Sequence, residues 1–134
     1  MSSGSVPDLD TRIDAIESGY EFMLAYAAQG RESDRGATGS ASELRDFLAA
    51  MERALEGLGD VVRAIAEKKN AAAAADASRF LEAVDDDAQR AQGVIRLVLA
   101  QDGISSQLID NVNASIHIRA LLTDLFVLDE ALKN

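Results

Sequence analysis

The sequence lacks several residue types on which common protein chemistries depend. It has no cysteine, no tryptophan, one histidine and one proline, and its aromatic content is 4%. Without cysteine there is no disulfide framework, no thiolate nucleophile, no iron–sulfur cluster and no cysteine zinc site. One histidine cannot supply the paired Glu-x-x-His motifs of di-iron bundles. We therefore expect no cofactor and no resident metal.

The charge balance is strongly acidic. Thirteen Lys and Arg against 23 Asp and Glu give a net charge of −10 and a pI of about 4.4. The negative electrostatic field of such a protein repels phosphate backbones and anionic lipids, so we expect neither a nucleic-acid partner nor a membrane partner. No apolar run reaches membrane-spanning length, and Met1–Asp8 has no secretory pattern. The expected location is cytoplasmic.

Apolar periodicity predicts four helices within one domain over residues 6–134, after a disordered leader over residues 1–5. The predicted helices span about 7–29, 41–69, 75–101 and 105–132. Apolar residues recur in steps of three and four, the spacing of a buried seam. The clearest seam comprises Leu44, Leu48, Met51, Leu55, Leu58, Val62 and Ile65. Three glycines predict a mobile loop over 30–40.

Two helix boundaries rest on specific arguments. The twelve residues from Ile65 to Ala77 rotate the apolar stripe by about 120°, which predicts a turn near residues 70–76 instead of one continuous helix. Gly103 and Ser105 predict a helix end followed by a new N-cap. Four helices with short connections predict an all-α fold, an antiparallel up-down-up-down four-helix bundle.

The first and fourth predicted helices each carry more apolar surface than one seam requires. The surplus residues Phe22 and Tyr26, with Leu122 and Phe126, predict an interaction surface through which these two helices associate. Acidic residues line one side of the first helix at positions 10, 14, 17 and 21, and they favour basic partners. The partner is another protein or a second copy, with a homodimer expected.

His117 is the one imidazole of the chain. It shares a polar line on the fourth helix with Asp110, Asn113 and Asp124, and a histidine on a helical bundle raises the alternative of a phosphotransfer domain. That family usually places lysine and then glycine or serine three and four residues after its histidine. Here these positions hold Ala120 and Leu121, so an ordinary boundary residue is the simpler interpretation.

Four carboxylates form a more specific pattern than the single histidine does: Glu52 and Glu56 on the second helix, and Glu82 and Asp85 on the third. This pattern resembles the paired motif of the all-α nucleoside triphosphate pyrophosphohydrolases, in which two helices hold magnesium against a triphosphate. The resemblance covers about 35 residues. It implies a magnesium-dependent enzyme with these four residues as ligands, but Arg53 stands where the family places a second glutamate.

The residues themselves predict no catalytic group. The main interpretation is therefore a non-catalytic, acidic helical bundle that acts as a protein-interaction, assembly or chaperone-like module. The enzyme and phosphotransfer interpretations are its alternatives.

Overall fold

The computed structural model describes residues 6–132, which form seven α-helices and no strand within that range. The helices are α1 (Val6–Ala27), α2 (Leu44–Leu55), α3 (Leu58–Lys69), α4 (Ala71–Asp76), α5 (Ser78–Leu99), α6 (Ser106–Ala114) and α7 (Ile116–Leu132). A 3-10 helix over Gly39–Glu43 precedes α2. The all-α class is as predicted, and the proposed leader over residues 1–5 lies outside the described residues.

The predicted second helix is wrong as one element, because it divides into α2 and α3. Gly57 has a φ of +66°, a left-handed conformation that glycine adopts without a Cβ penalty. Glu56 before it is extended, with a ψ of 118°. Arg12 of α1 donates hydrogen bonds to the carbonyl oxygens of Ala54 at 3.1 Å and Glu56 at 2.6 Å. The break is therefore stabilised by partners for carbonyls that no longer bond within a helix.

The other differences also occur where a side chain can cap a new helix. In place of the predicted turn near residues 70–76, the chain is interrupted at Asn70 and again at Ala77, with α4 between them. The Oδ1 of Asn70 accepts a hydrogen bond from the amide of Ala73 and so starts α4. The predicted fourth helix divides at Ser115, which is extended with a ψ of 128°. Ser105 caps α6 by accepting from the amide of Leu108, which confirms the predicted restart.

The apolar seams form the core. Every residue of the seam predicted from Leu44 to Ile65 is buried, as are most seam residues of the other helices, including Ile16, Ile95 and Leu121. Helix α1 packs against α2 and α6, α5 packs against α2, α3 and α7, and α4 packs against α3 and α5. In the described range, no helix combines the length and the hydropathy needed to cross a membrane.

Candidate functional site

The four residues of the predicted interaction surface occupy different environments, so the prediction that they form one surface is wrong. Tyr26 is 0% exposed, and its hydroxyl donates to the carbonyl oxygen of Ile104 at 2.6 Å. Leu122 is also buried in the core. Phe22 is half-buried and stacks on Phe47 of α2, with ring centroids 4.4 Å apart. These three side chains hold the fold together.

Phe126 is the member of the set that meets solvent. It is 45% exposed on α7, and the adjacent Val127 is 55% exposed. Two residues along a helix correspond to a rotation of about 200°, so Phe126 points away from the side of Asp124. Asp124 shares a face of α7 with His117, seven residues earlier, whose Nδ1 lies 3.7 Å from Asp87, so the side of Asp124 is the one facing α5. Phe126 therefore lies on the outer side of α7 that is turned away from α5.

Helix α1 carries a row of carboxylates that we call the acidic face: Asp10, Asp14, Glu17 and Glu21. On its other side, Gly19 lies against Met51 and Phe22 stacks on Phe47, so the acidic face is turned away from α2. Within the described residues, Asp14, Glu17 and Glu21 form no ion pair.

Two contacts fix the register between α1 and the α6–α7 segment. Ser106 Oγ donates to the carbonyl oxygen of Tyr26 at 2.7 Å, and Asn113 Nδ2 donates to that of Met23 at 3.2 Å. Numbers rise on α6 as they fall on α1, so the two run in opposite directions. At 1.5 Å per residue, Phe126 lies about 20 Å beyond Asn113, which corresponds to about thirteen residues on α1 and places Phe126 toward the N-terminal end of that helix. Phe126 and the acidic face are therefore both exposed, and Phe126 lies toward the N-terminal end of α1.

Glu52 and Glu56, two of the four residues implied as magnesium ligands, are engaged by α5. Arg96 Nε donates to Glu52 at 2.6 Å, and its Nη2 lies 3.4 Å from Glu56. Gln92, which is 8% exposed, donates through Nε2 to both carboxylates. A guanidinium therefore stands where the resemblance implies a metal ion.

Glu82 and Asp85 lie nearer the start of α5 than Gln92 does, beside a cavity of about 230 Å³ against the start of α3. Asp85 accepts a hydrogen bond from Gln89 and packs so closely on Gly59 that a Cβ there would overlap its carboxylate. Asp85 is about 10 Å along the helix from Gln92. Across residues 6–132, no group of three or more His, Cys, Asp or Glu is arranged to hold a metal ion. The four implied ligands do not form one site.

His117, the candidate phosphotransfer residue, is half-buried at the start of α7. Its Nδ1 lies 3.7 Å from Asp87 of α5. Burial, and then the charge of Asp87, raises the pKa of the nearby Asp124 carboxyl. Carboxylates beside the imidazole oppose the approach of an anionic phosphoryl group, so this geometry does not favour phosphotransfer.

The loop predicted to be mobile is joined to the segment between α5 and α6. Arg31 and Ser106 exchange two hydrogen bonds, each 2.8 Å long. Asp34 accepts from Arg45 Nε at 2.7 Å and from the amide of Ile104 at 2.8 Å. Burial opposes ionisation of Asp34, but the hydrogen bonds from Arg45 and Ile104 outweigh it and lower the pKa of this carboxyl. Mobility of the loop stays a prediction.

Sequence reasoning missed the arginines that bind helix ends. Arg45 donates to the carbonyl oxygens of Leu99, Gln101 and Asp102, as Arg12 does at the end of α2. Nothing in the sequence separates these two residues from other surface arginines, because their carbonyl partners lie more than 40 positions away. The polar groups that the structure brings together thus serve mainly to join helices.

Comparisons with protein families, curated proteins and solved structures find no match to this chain.

Proposed function

We propose that the protein is a non-catalytic, acidic helical-bundle module that binds another protein. The observation that carries the proposal is the exposed Phe126 on α7, together with the three α1 carboxylates that form no ion pair with described residues: Asp14, Glu17 and Glu21. Aromatic side chains dominate binding energy when a partner covers them. Unpaired carboxylates next to one select a partner of opposite charge and speed its approach. The proposed surface therefore combines an apolar anchor with a charge preference.

The partner that fits this surface is a basic amphipathic helix. Such a helix can place an apolar side chain against Phe126 and lysines against Asp14, Glu17 and Glu21. A homodimer through α1 and α7 is the alternative partner arrangement. It would bring two acidic faces together in a molecule of net charge −10, and like charges across an interface disfavour association.

The proposal includes the arrangement of the helices as an antiparallel up-down-up-down four-helix bundle, in which α2–α3, α4–α5 and α6–α7 each form one interrupted helix. Two series of contacts support it. Positions 12, 19 and 22 of α1 meet positions 54, 51 and 47 in descending order. Positions 52, 56 and 59 of α2 and α3 likewise contact positions 96, 92 and 85 of α5, in descending order. Both series are those of antiparallel neighbours.

Fluorescence anisotropy with a labelled basic peptide tests the function. The probe is an amphipathic helix of about 18 residues, five turns, with one leucine face and one lysine face. A variant carrying Asp14→Asn, Glu17→Gln and Glu21→Gln should bind about tenfold more weakly, since each exposed ion pair contributes a few tenths to 1 kcal/mol. Phe126→Ser should weaken binding by a similar factor.

Matched controls distinguish binding at this surface from attraction of the peptide by the overall negative charge. A variant with Glu67→Gln, Asp76→Asn and Asp86→Asn loses the same charge from exposed sites on α3, α4 and α5. Leu97→Ser removes an apolar side chain from α5 that is more exposed than Phe126. Both controls should bind like the parent protein. Equal loss in the two triple variants would overturn the proposal, because it would show attraction by net charge alone.

A further inference from the structure

One cavity differs in character from the acidic surroundings. It has a volume of about 280 Å³ and lies among α3, α4, α5 and the end of α7. Its walls are chiefly alanine and leucine side chains: Ala66, Ala73, Ala74, Ala77, Leu81, Leu128, Ala131 and Leu132. It lies away from the acidic face of α1.

The cavity follows from the local sequence. Asn70 ends α3 and caps α4, so the chain turns and lays the alanine-rich helix beside α3. Alanine side chains are too short to fill the space that remains between these helices and α7. Apolar surface left open to water in this way is unfavourable, and an aliphatic ligand that covers it recovers that free energy.

Charge distinguishes this cavity further. Its ten lining residues include no Asp or Glu, although the chain has 23 of them. Each of three other cavities is lined by at least two acidic residues. Among the described residues, the charged one that lines this cavity is Lys69, which forms no ion pair with any other described residue. An apolar chamber with a cation at its edge fits a ligand with an aliphatic tail and an anionic head.

We propose that this cavity binds an aliphatic monocarboxylate of medium chain length, with the tail among the alanines and the carboxylate at Lys69. The inference goes beyond the protein-binding function and uses a different part of the molecule. The net charge of the protein repels anions at long range, but physiological salt screens that repulsion beyond about 8 Å. The contact with Lys69 is shorter than this.

Isothermal titration calorimetry of the full chain with hexanoate, octanoate and decanoate, each below its micelle-forming concentration, tests the proposal. Each methylene that enters the cavity should raise the affinity about fourfold, until the tail exceeds the available volume and the affinity levels off. The stoichiometry should be one ligand per chain. Decyltrimethylammonium, with a similar tail and a positive head, should bind more weakly than decanoate.

Two pairs of variants locate the site. Ala73→Leu fills the cavity from an exposed lining position, whereas Ala72→Leu makes the same change on α4 outside the lining. Leucine has nearly the helix propensity of alanine, so both variants keep α4. Ala73→Leu should reduce decanoate affinity at least tenfold, and Ala72→Leu should leave it unchanged. Lys69→Gln should weaken binding about two- to fivefold, and Lys68→Gln should not.

Several outcomes would overturn the proposal. Non-saturating binding, or equal binding of the cationic amphiphile, would show general adsorption to apolar surface. Equal effects of the Ala72 and Ala73 substitutions would place the ligand elsewhere. A dimer that decanoate dissociates would assign the cavity to a second copy of the chain. None of these outcomes depends on the peptide-binding measurement, so the two proposals fail independently.

Discussion

The hydroxyl of Tyr26 donates a hydrogen bond to the carbonyl oxygen of Ile104 at 2.6 Å, and both residues are completely buried. The bond joins the last turn of α1 to the segment that precedes α6, 78 positions later. Burial, and then the neighbouring Asp34 carboxylate, raises the pKa of the Tyr26 hydroxyl. Tyr26, which the sequence predicts as part of an interaction surface, therefore anchors one end of the fold.

Tyr26→Phe should lower the free energy of unfolding by about 1–2 kcal/mol, because the Ile104 carbonyl would stay buried without its donor. The ring remains, so no cavity forms. Urea unfolding at neutral pH measures the change. Tyr20→Phe is the matched control, since the half-buried Tyr20 on the same helix makes no side-chain hydrogen bond with described residues. Equal destabilisation of the two variants would contradict the role assigned to Tyr26.

Asp34 should make stability depend on acid pH. Its pKa is lowered in the fold, so its contribution is present above the unfolded-state pKa of about 3.9 and is lost as pH falls through the lower folded value. Asp34→Asn should cost about 1–2 kcal/mol at pH 7, since it weakens charge-assisted bonds from Arg45. The difference from the parent protein should shrink below pH 4.

Urea unfolding of both proteins between pH 7 and pH 3 measures this dependence. Asp46→Asn, at an exposed position on α2, is the control and should differ little from the parent at any pH. A penalty for Asp34→Asn that stays constant down to pH 3 would contradict the lowered pKa.

Asp124 should show the opposite sign. Burial and the charge of Asp87 raise its pKa in the fold, so the ionised form destabilises the folded protein above the unfolded-state pKa. Asp124→Asn should raise stability at pH 7 by a few tenths to about 1 kcal/mol, and the gain should disappear in acid. Asp110→Asn, exposed on α6, controls for the loss of one negative charge. Thermal unfolding at pH 7 that ranks the two variants equally would refute this explanation.

Two glycines should respond to alanine in opposite directions. A Cβ at Gly59 would overlap Asp85, and overpacking of this kind costs about 1–3 kcal/mol. A Cβ at Gly93, within α5, meets nothing within 4 Å, so Gly93→Ala should stabilise the protein by about 0.5–1 kcal/mol. Chemical denaturation of both variants measures this. Asp85→Gly, which removes the Cβ as well as the carboxylate, should largely remove the penalty at Gly59, and no rescue would argue against the contact.

The helical class and the core followed from the sequence because steps of three and four mark a buried helix face directly. The seam residues from Leu44 to Ile65 are all buried, although the segment divides into α2 and α3. The spacing of apolar residues does not reveal that division. Breaks at Gly57 and Ser115 depend on contacts made after folding, such as Arg12 with the carbonyl of Glu56. The break at Asn70 was predicted from the phase of the apolar stripe.

The candidate site was less predictable for a physical reason. Apolar residues outside a seam can cover a neighbouring helix or face solvent, and composition does not distinguish Tyr26 from Phe126. The matching carboxylates at positions 52, 56, 82 and 85 failed as one site because spacing on two helices does not specify their relative level or the arginines between them.

The most direct test of the proposed function is a map of where the basic peptide binds. In a ¹⁵N–¹H correlation spectrum recorded during titration, the largest shifts should cover residues 10–21 of α1, which carry the acidic face, and 119–130 of α7. Residues of α5 around Asp85 and Asp86, which are equally acidic, should change little. Shifts centred on α5, or spread over every acidic segment, would contradict a specific binding surface at Phe126 and the acidic face.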